Sequence, residues 1–101
     1  MPPKVGAYAA FDKGMDYFGK DYDKANYHFL QAQQIDSTFF APYLWHITSY
    51  SNIGQPAIAD SLYKRVRQQF PSLSPRNQLL LEYMPAPVSY THLTLPTTSR
   101  V

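Results

Sequence analysis

The strongest constraint in this sequence is a pattern of small and aromatic residues that recurs after 34 residues. The matched pairs are Ala25 with Ala59, Phe29 with Tyr63, Ala32 with Val66, and Ser37 with Pro71. An aromatic segment stands before each set, over residues 8–18 and 43–53. Periods of about 20–50 residues are typical of chains built from one supersecondary unit that stacks on its neighbours. The repeat therefore predicts a helix, a tight turn, a second helix and a short loop in each unit.

Residues that begin and end helices stand at the borders of these units. Asp21 can accept a hydrogen bond from the first turn of a helix that starts near residue 22. Pro42 and Pro56 suit first turns, where the missing N–H costs no helix hydrogen bond. Gly54 can take the left-handed conformation that ends a helix, and Ser74 before a proline predicts one more start. These signals predict an all-α domain with helices over residues 7–18, 22–35, 42–53, 56–69 and 75–84.

The repeated positions resemble those of the tetratricopeptide repeat (TPR) family. That family places small residues where paired helices cross, aromatic residues in the adjacent space, and a proline at the close of the second helix. The matching residues are Gly14, Tyr17, Tyr22, Ala25, Phe29 and Ala32 in the first unit, and Tyr50, Gly54, Ala59, Tyr63 and Pro71 in the second. The departures are Ser37 for the closing proline, Pro56 where tyrosine is common, Val66 for a small residue, and a first unit one residue shorter between Gly14 and Ala25.

The resemblance covers about residues 7–84 and implies an α-solenoid of antiparallel helix hairpins. It places two full repeats at about 7–37 and 41–71, and part of a third repeat at 74–84. The last segment is similar to units in the repeat arrays of bacterial regulatory and signalling proteins. The fold expected from the resemblance is therefore a truncated TPR-like array.

The end of the chain resembles a translated sequencing adapter. Residues 88–97 match, in order, the residues that a common transposase adapter encodes, and residues 98–101 fit an index followed by the constant region. We therefore expect a helical domain over 1–87 and a non-native tail over 88–101, which is excluded from fold reasoning. On this interpretation the parent protein is longer, and Met1 can equally be an internal methionine. The alternative is an edge strand, because valine, tyrosine and threonine alternate in the tail.

The sequence contains no pattern that predicts catalysis. It has no cysteine, no phosphate-binding glycine loop, no serine elbow and no pair of histidines at zinc-binding spacing. His28 and His46 lie on different predicted helices, and packing or surface roles are the more common ones for such residues. Asp16, Asp21 and Asp23 lack the glycine and the distal glutamate of a calcium loop, so helix capping explains them better. We expect a protein that is not an enzyme and that has no cofactor and no metal.

Charge and hydropathy give little support for nucleic acid or membrane as partners. The net charge is +2, and the basic residues Lys64, Arg65 and Arg67 lie near the end of a predicted helix, where they complement the helix dipole. Nucleic-acid binding through this basic helix end stays open as an alternative. No leader opens the chain, and no apolar run approaches the ~18 residues of a membrane span. We expect a cytoplasmic protein without membrane contact.

The TPR resemblance also implies where a partner would bind. In that family the first helix of each pair lines a concave groove, and the residues expected there are Phe11, Met15, Phe18, Leu44, Thr48 and Ser51. An apolar lining that contains methionine suits a peptide or an amphipathic helix. Some relatives hold a peptide's terminal carboxylate with lysine and asparagine, and Phe11, Met15, Leu44 and Thr48 at these positions disfavour that mode. The alternative is that neighbouring repeats cover this face.

The expected function is accordingly a non-catalytic scaffold for protein–protein interaction. The alternative is a sensing or coupling segment of a larger bacterial transcription regulator or signalling kinase. A truncated array also exposes its last helix, so we expect self-association through Leu79, Leu80 and Leu81.

Overall fold

The computed structural model describes residues 3–83, and within them the chain forms helices and no strand. The helices are α1 (Val5–Tyr17), α2 (Tyr22–Ile35), α3 (Phe40–Asn52), α4 (Pro56–Gln69) and α5 (Pro75–Tyr83). The all-α prediction is confirmed over this range, and α2 and α4 have the predicted limits. None of these described helices has the length and apolar character to cross a membrane. The tail over 88–101, its alternative as a strand, and the domain limit at residue 87 lie outside the described residues.

Helix α1 packs on α2, α2 on α3 and α3 on α4, and Gly14 lies in the contact between α1 and α2. A Cβ atom added to Gly14 would lie 2.5 Å from Cε1 and 2.6 Å from Cδ1 of Phe29. It would also lie 3.2 Å from the carbonyl oxygen of Ala25. Ala25 and Phe29 are both fully buried. The predicted crossing, with small residues in contact and an aromatic ring beside them, is confirmed.

Two of the matched pairs 34 residues apart are buried at both positions, and a second core forms around the later set. Ala25 and Ala59 are fully buried, and Ala32 and Val66 are buried as well. The second core joins α3, α4 and α5, and its buried members are Leu44, Ile47, Ala59, Val66 and Leu81. Helix α5 therefore completes the core of the second helix pair by contributing Leu81.

Polar side chains connect α2 to α3 inside the structure. The Ser49 hydroxyl donates to Oδ1 of Asn26, and it lies 3.1 Å from the carbonyl oxygen of His46. Nε2 of Gln33 lies 3.1 Å from Nδ1 of His46. Because an amide nitrogen can only donate, Nδ1 accepts and the imidazole is neutral. Burial lowers the pKa of His46 to about 4, in agreement with a neutral ring at this contact.

Helix ends with local capping residues follow the sequence prediction. The backbone N–H of Lys24 donates to Oδ1 of Asp21 at 3.2 Å, so Asp21 caps α2. The backbone N–H of Asn77 donates to the Ser74 hydroxyl at 3.1 Å at the start of α5. Gly54 has a φ of +77°, the left-handed conformation expected after α3. Each of these ends is determined by a residue within one helical turn of it.

Two helices begin earlier than predicted, α1 at Val5 and α3 at Phe40. Asp36, which follows α2, forms hydrogen bonds to the chain just before each of these two helices. One of its carboxylate oxygens accepts the backbone N–H of Lys4 at 3.0 Å, and the other accepts the Thr38 hydroxyl at 2.6 Å. These hydrogen bonds, with that of the Thr38 hydroxyl the largest, hold the pKa of Asp36 below its ordinary value. A residue distant in sequence thus fixes the chain just before α1.

Candidate functional site

Aromatic rings form a continuous series of contacts that runs from α1 to α3. The members of this aromatic band are, in order of contact, Tyr8, Phe39, Phe11, Phe29, Phe18 and Trp45. The shortest centroid distance is 5.1 Å, between Phe18 and Trp45, and the longest is 6.4 Å, between Phe18 and Phe29. Aromatic pairs at such distances gain about 0.5–1.5 kcal/mol beyond the area they bury. Because Phe29 is fully buried at the Gly14 crossing, it anchors the band to the core.

The aromatic band continues into an open cleft between α3 and α5, called the α3–α5 cleft below. Its lining residues are Phe39, Phe40, Ala41, Leu44, Trp45, Arg76, Asn77 and Leu80. Phe39 and Trp45 belong to both the band and the cleft. The cleft has a volume of about 440 Å³, within the range of about 300–1,000 Å³ that is common for ligand pockets. An apolar side chain of a partner could therefore enter it beside the aromatic rings.

The polar groups of the α3–α5 cleft are mainly hydrogen-bond donors. The Arg76 guanidinium, the Asn77 side-chain amide and Nε1 of Trp45 have no hydrogen-bond or ion-pair partner among residues 3–83. Arg76 is the single charged residue of the described lining, and it is exposed to solvent. The cleft therefore combines an apolar floor with one cationic side.

The structure separates the residues expected in the groove into two groups. Leu44 is 3% exposed and packs in the second core, and Thr48 is 8% exposed and donates its hydroxyl to the carbonyl of Leu44 at 2.9 Å. Leu44 nevertheless lines the α3–α5 cleft, whereas Thr48 is buried and does not line it, and the expectation that the two contact a partner stays a prediction. Phe11, Met15, Phe18 and Ser51 are half-buried. Of these, Phe11 and Phe18 belong to the aromatic band.

Sequence analysis missed most of the lining of the cleft. Trp45 directly follows Leu44 and is the only tryptophan of the chain, which was a usable signal. Phe39 precedes α3 in a loop, and Arg76 and Asn77 lie in the first turn of α5. No periodic pattern marks these residues, because they come together only when α5 packs beside α3.

The leucines of α5 differ in their exposure to solvent. Leu79 is 55% exposed, Leu80 lines the α3–α5 cleft, and Leu81 is fully buried. Only Leu79 therefore presents most of its side chain to solvent.

The other candidate residues lie apart from the α3–α5 cleft, and His28 lines a second open cavity of about 400 Å³ between α1 and α2. Nζ of Lys64 lies 3.2 Å from Oδ2 of Asp60 one turn earlier, so a carboxylate already balances this charge of the basic helix end. His28 stacks on Tyr17 with ring centroids 5.8 Å apart. Over residues 3–83, no group of three His, Asp or Glu side chains converges as a metal site would require. Of these two cavities, the α3–α5 cleft is the one that shares residues with the aromatic band, namely Phe39 and Trp45.

No protein-family model, no curated protein and no solved structure matches this chain.

Proposed function

We propose that the protein is a TPR-like interaction module, without catalysis, that binds an apolar peptide segment along the aromatic band and in the α3–α5 cleft. The observation that carries the proposal is the continuity of the two features through Phe39 and Trp45. An extended partner could contact the half-buried rings of α1 and insert a side chain between α3 and α5. Solenoids of helical repeats bind peptides on extended surfaces of this kind.

The TPR-like architecture is part of this proposal. Its support is the 34-residue spacing, the glycine crossing at Gly14 and the matched burial of Ala25 and Ala59. In such an array α1, α3 and α5 are the first helices of successive units. The α3–α5 cleft would then lie between the first helices of adjacent units.

The proposal is tested by selecting binders and then blocking the cleft. Random 12-residue peptides displayed on phage are selected on the immobilised protein, and the recovered peptides are synthesised and titrated. We expect dissociation constants on the order of micromolar, as is usual for short-peptide recognition without extensive preorganisation. Ala41→Gln, which places a longer side chain in the lining of the cleft, should weaken binding about tenfold or more.

Ala57→Gln is the matched control. Ala57 is the second residue of α4, as Ala41 is of α3, and it is exposed outside the cleft. Both variants should have the circular dichroism spectrum and melting temperature of the parent, and Ala57→Gln should keep the parent's affinity. Failure to recover any peptide, or equal affinity of both variants, would refute the assignment of peptide binding to this cleft.

A further inference from the structure

The charge distribution of the α3–α5 cleft determines what kind of peptide it can hold. Its floor and one wall are apolar or aromatic, and Arg76 is the single charged residue of the described lining. No carboxylate belongs to that lining, so the positive charge is not balanced locally. A ligand that is apolar alone would leave this charge unused, whereas an anionic group beside an apolar one would match both parts of the cleft.

The hydrogen-bonding groups agree with an anionic ligand. A guanidinium offers only donors, indole Nε1 is a donor, and a side-chain amide adds two more N–H groups. None of these groups of Arg76, Trp45 and Asn77 has an acceptor among residues 3–83. The group that complements them is one with several acceptor atoms and a negative charge.

A carboxylate fits this arrangement better than a phosphate. The planar guanidinium pairs with a carboxylate through two parallel hydrogen bonds. Phosphate sites more often combine several cations or a set of backbone N–H groups, whereas the cleft has one arginine in an apolar surrounding. A carboxylate carried next to an apolar side chain in a peptide would supply both groups from adjacent residues.

From this juxtaposition we infer that the α3–α5 cleft binds a peptide segment in which an acidic residue neighbours a phenylalanine or leucine. The apolar side chain enters between Leu44, Trp45 and Leu80, and the carboxylate pairs with Arg76 and Asn77. This inference rests on the proposed function and adds the chemistry of the partner to it.

Trp45 makes the inference directly measurable. It is the only tryptophan in the sequence, so the intrinsic tryptophan fluorescence of the protein reports on the point where the aromatic band meets the cleft. The probe is a capped synthetic peptide, Gly-Ser-Asp-Phe-Asp-Leu-Gly-Ser. In the first comparison peptide both aspartates are asparagines, and in the second phenylalanine and leucine are alanines. None of the three contains tryptophan.

We expect a saturable change of Trp45 emission with the acidic probe, and affinities about tenfold or more lower for both comparison peptides. Arg76→Gln should reduce the affinity for the acidic probe by about tenfold, since hydrogen bonds to a charged group contribute strongly. It should leave the affinity for the asparagine peptide unchanged. Arg65→Gln is the matched control, because it removes the same charge from an exposed position on α4 outside the cleft.

Equal affinities for the acidic and asparagine peptides, equal effects of Arg76→Gln and Arg65→Gln, or no emission change with the acidic probe would overturn the inference. Its failure is distinguishable from that of the proposed function. If selected peptides bind and Ala41→Gln weakens them while Arg76→Gln does not, the cleft binds peptides and only the carboxylate preference is wrong. If selection recovers no peptide and the probe does not bind, both are wrong.

Discussion

The tight contact between α1 and α2 at Gly14 gives the most direct test of the fold. Gly14→Ala adds one methyl group where the new Cβ would lie 2.5 Å and 2.6 Å from two ring atoms of Phe29. Carbon atoms pack at about 3.5–4.0 Å, so the overlap is about 1 Å. Phe29 is fully buried, and its ring centroid lies 5.9 Å from that of Phe11 and 6.4 Å from that of Phe18. Its ring is therefore enclosed by other rings and cannot withdraw without displacing them.

Two opposing terms set the size of the effect at Gly14. Overpacking of a filled core costs about 1–3 kcal/mol, and the higher helix propensity of alanine returns up to about 1 kcal/mol. We therefore expect Gly14→Ala to lower the free energy of unfolding by up to about 2 kcal/mol if alanine returns its full propensity gain. In a domain of this size, each kcal/mol corresponds to about 4–8 °C in melting temperature.

Gly6→Ala is the control on the same helix. Its Cβ would lie 3.6 Å from Cγ2 and 3.8 Å from Cδ1 of Ile35, which are ordinary contacts. This variant should be as stable as the parent or up to about 1 kcal/mol more stable. Urea denaturation followed by far-ultraviolet circular dichroism measures both. A Gly14→Ala protein as stable as Gly6→Ala would refute the close crossing at Gly14.

Stability should fall by up to about 3 kcal/mol as the pH drops from 6.5 towards about 4, because the unfolded chain takes up a proton that buried His46 excludes. The urea midpoint of the parent should fall as the pH drops across this window, whereas that of His46→Gln should not. An equal fall in the two proteins would contradict the assignment. Ser49→Ala should lower the free energy of unfolding by about 1–3 kcal/mol, and by more than Asn26→Ala does. Ser49→Ala leaves the buried Oδ1 of Asn26 without its donor, whereas in Asn26→Ala the Ser49 hydroxyl keeps a second acceptor, the carbonyl oxygen of His46. Thermal melts rank the two, and the reverse order would contradict this reasoning. Leu81→Ala should cost about 2–5 kcal/mol and Leu79→Ala less than about 0.5 kcal/mol, since the first side chain is fully buried and the second is 55% exposed. Equal losses in urea melts would show that α5 does not dock through Leu81.

The fold was predictable wherever local chemistry determines it. Asp21 and Pro56 mark helix starts by their own side chains, and α2 and α4 begin at the residues expected from them. The start of α1 depends instead on Asp36, which is far away in sequence and binds the backbone N–H of Lys4. The sequence pattern around α1 gives no sign of this long-range hydrogen bond, so the start of α1 could not be predicted from that pattern.

The candidate site was predictable only in part, for a related reason. The helical period places Leu44 and Thr48 on one face of α3, but it does not determine whether that face is open or covered. In the structure Leu81 of α5 packs in the same core as Leu44, and Leu44 lines the α3–α5 cleft while Thr48 does not. The opening is displaced towards Trp45, the next residue along the helix. Burial by a neighbouring element, rather than the period itself, thus decided which residues of α3 line the cleft.

Helix α5 connects the stability of the helical core to the existence of the cleft. It has nine residues, and an isolated helix shorter than about 12–15 residues is marginal in water, so its docking depends on tertiary contacts such as those of Leu81. The same helix provides Arg76, Asn77 and Leu80 to the lining. A ligand that contacts both Trp45 and Arg76 must favour the docked position of α5, because the site is complete only there. Binding and docking of α5 are therefore linked by one coupling free energy. A core substitution that displaces α5 must weaken ligand binding by that amount, even though the substituted residue does not contact the ligand.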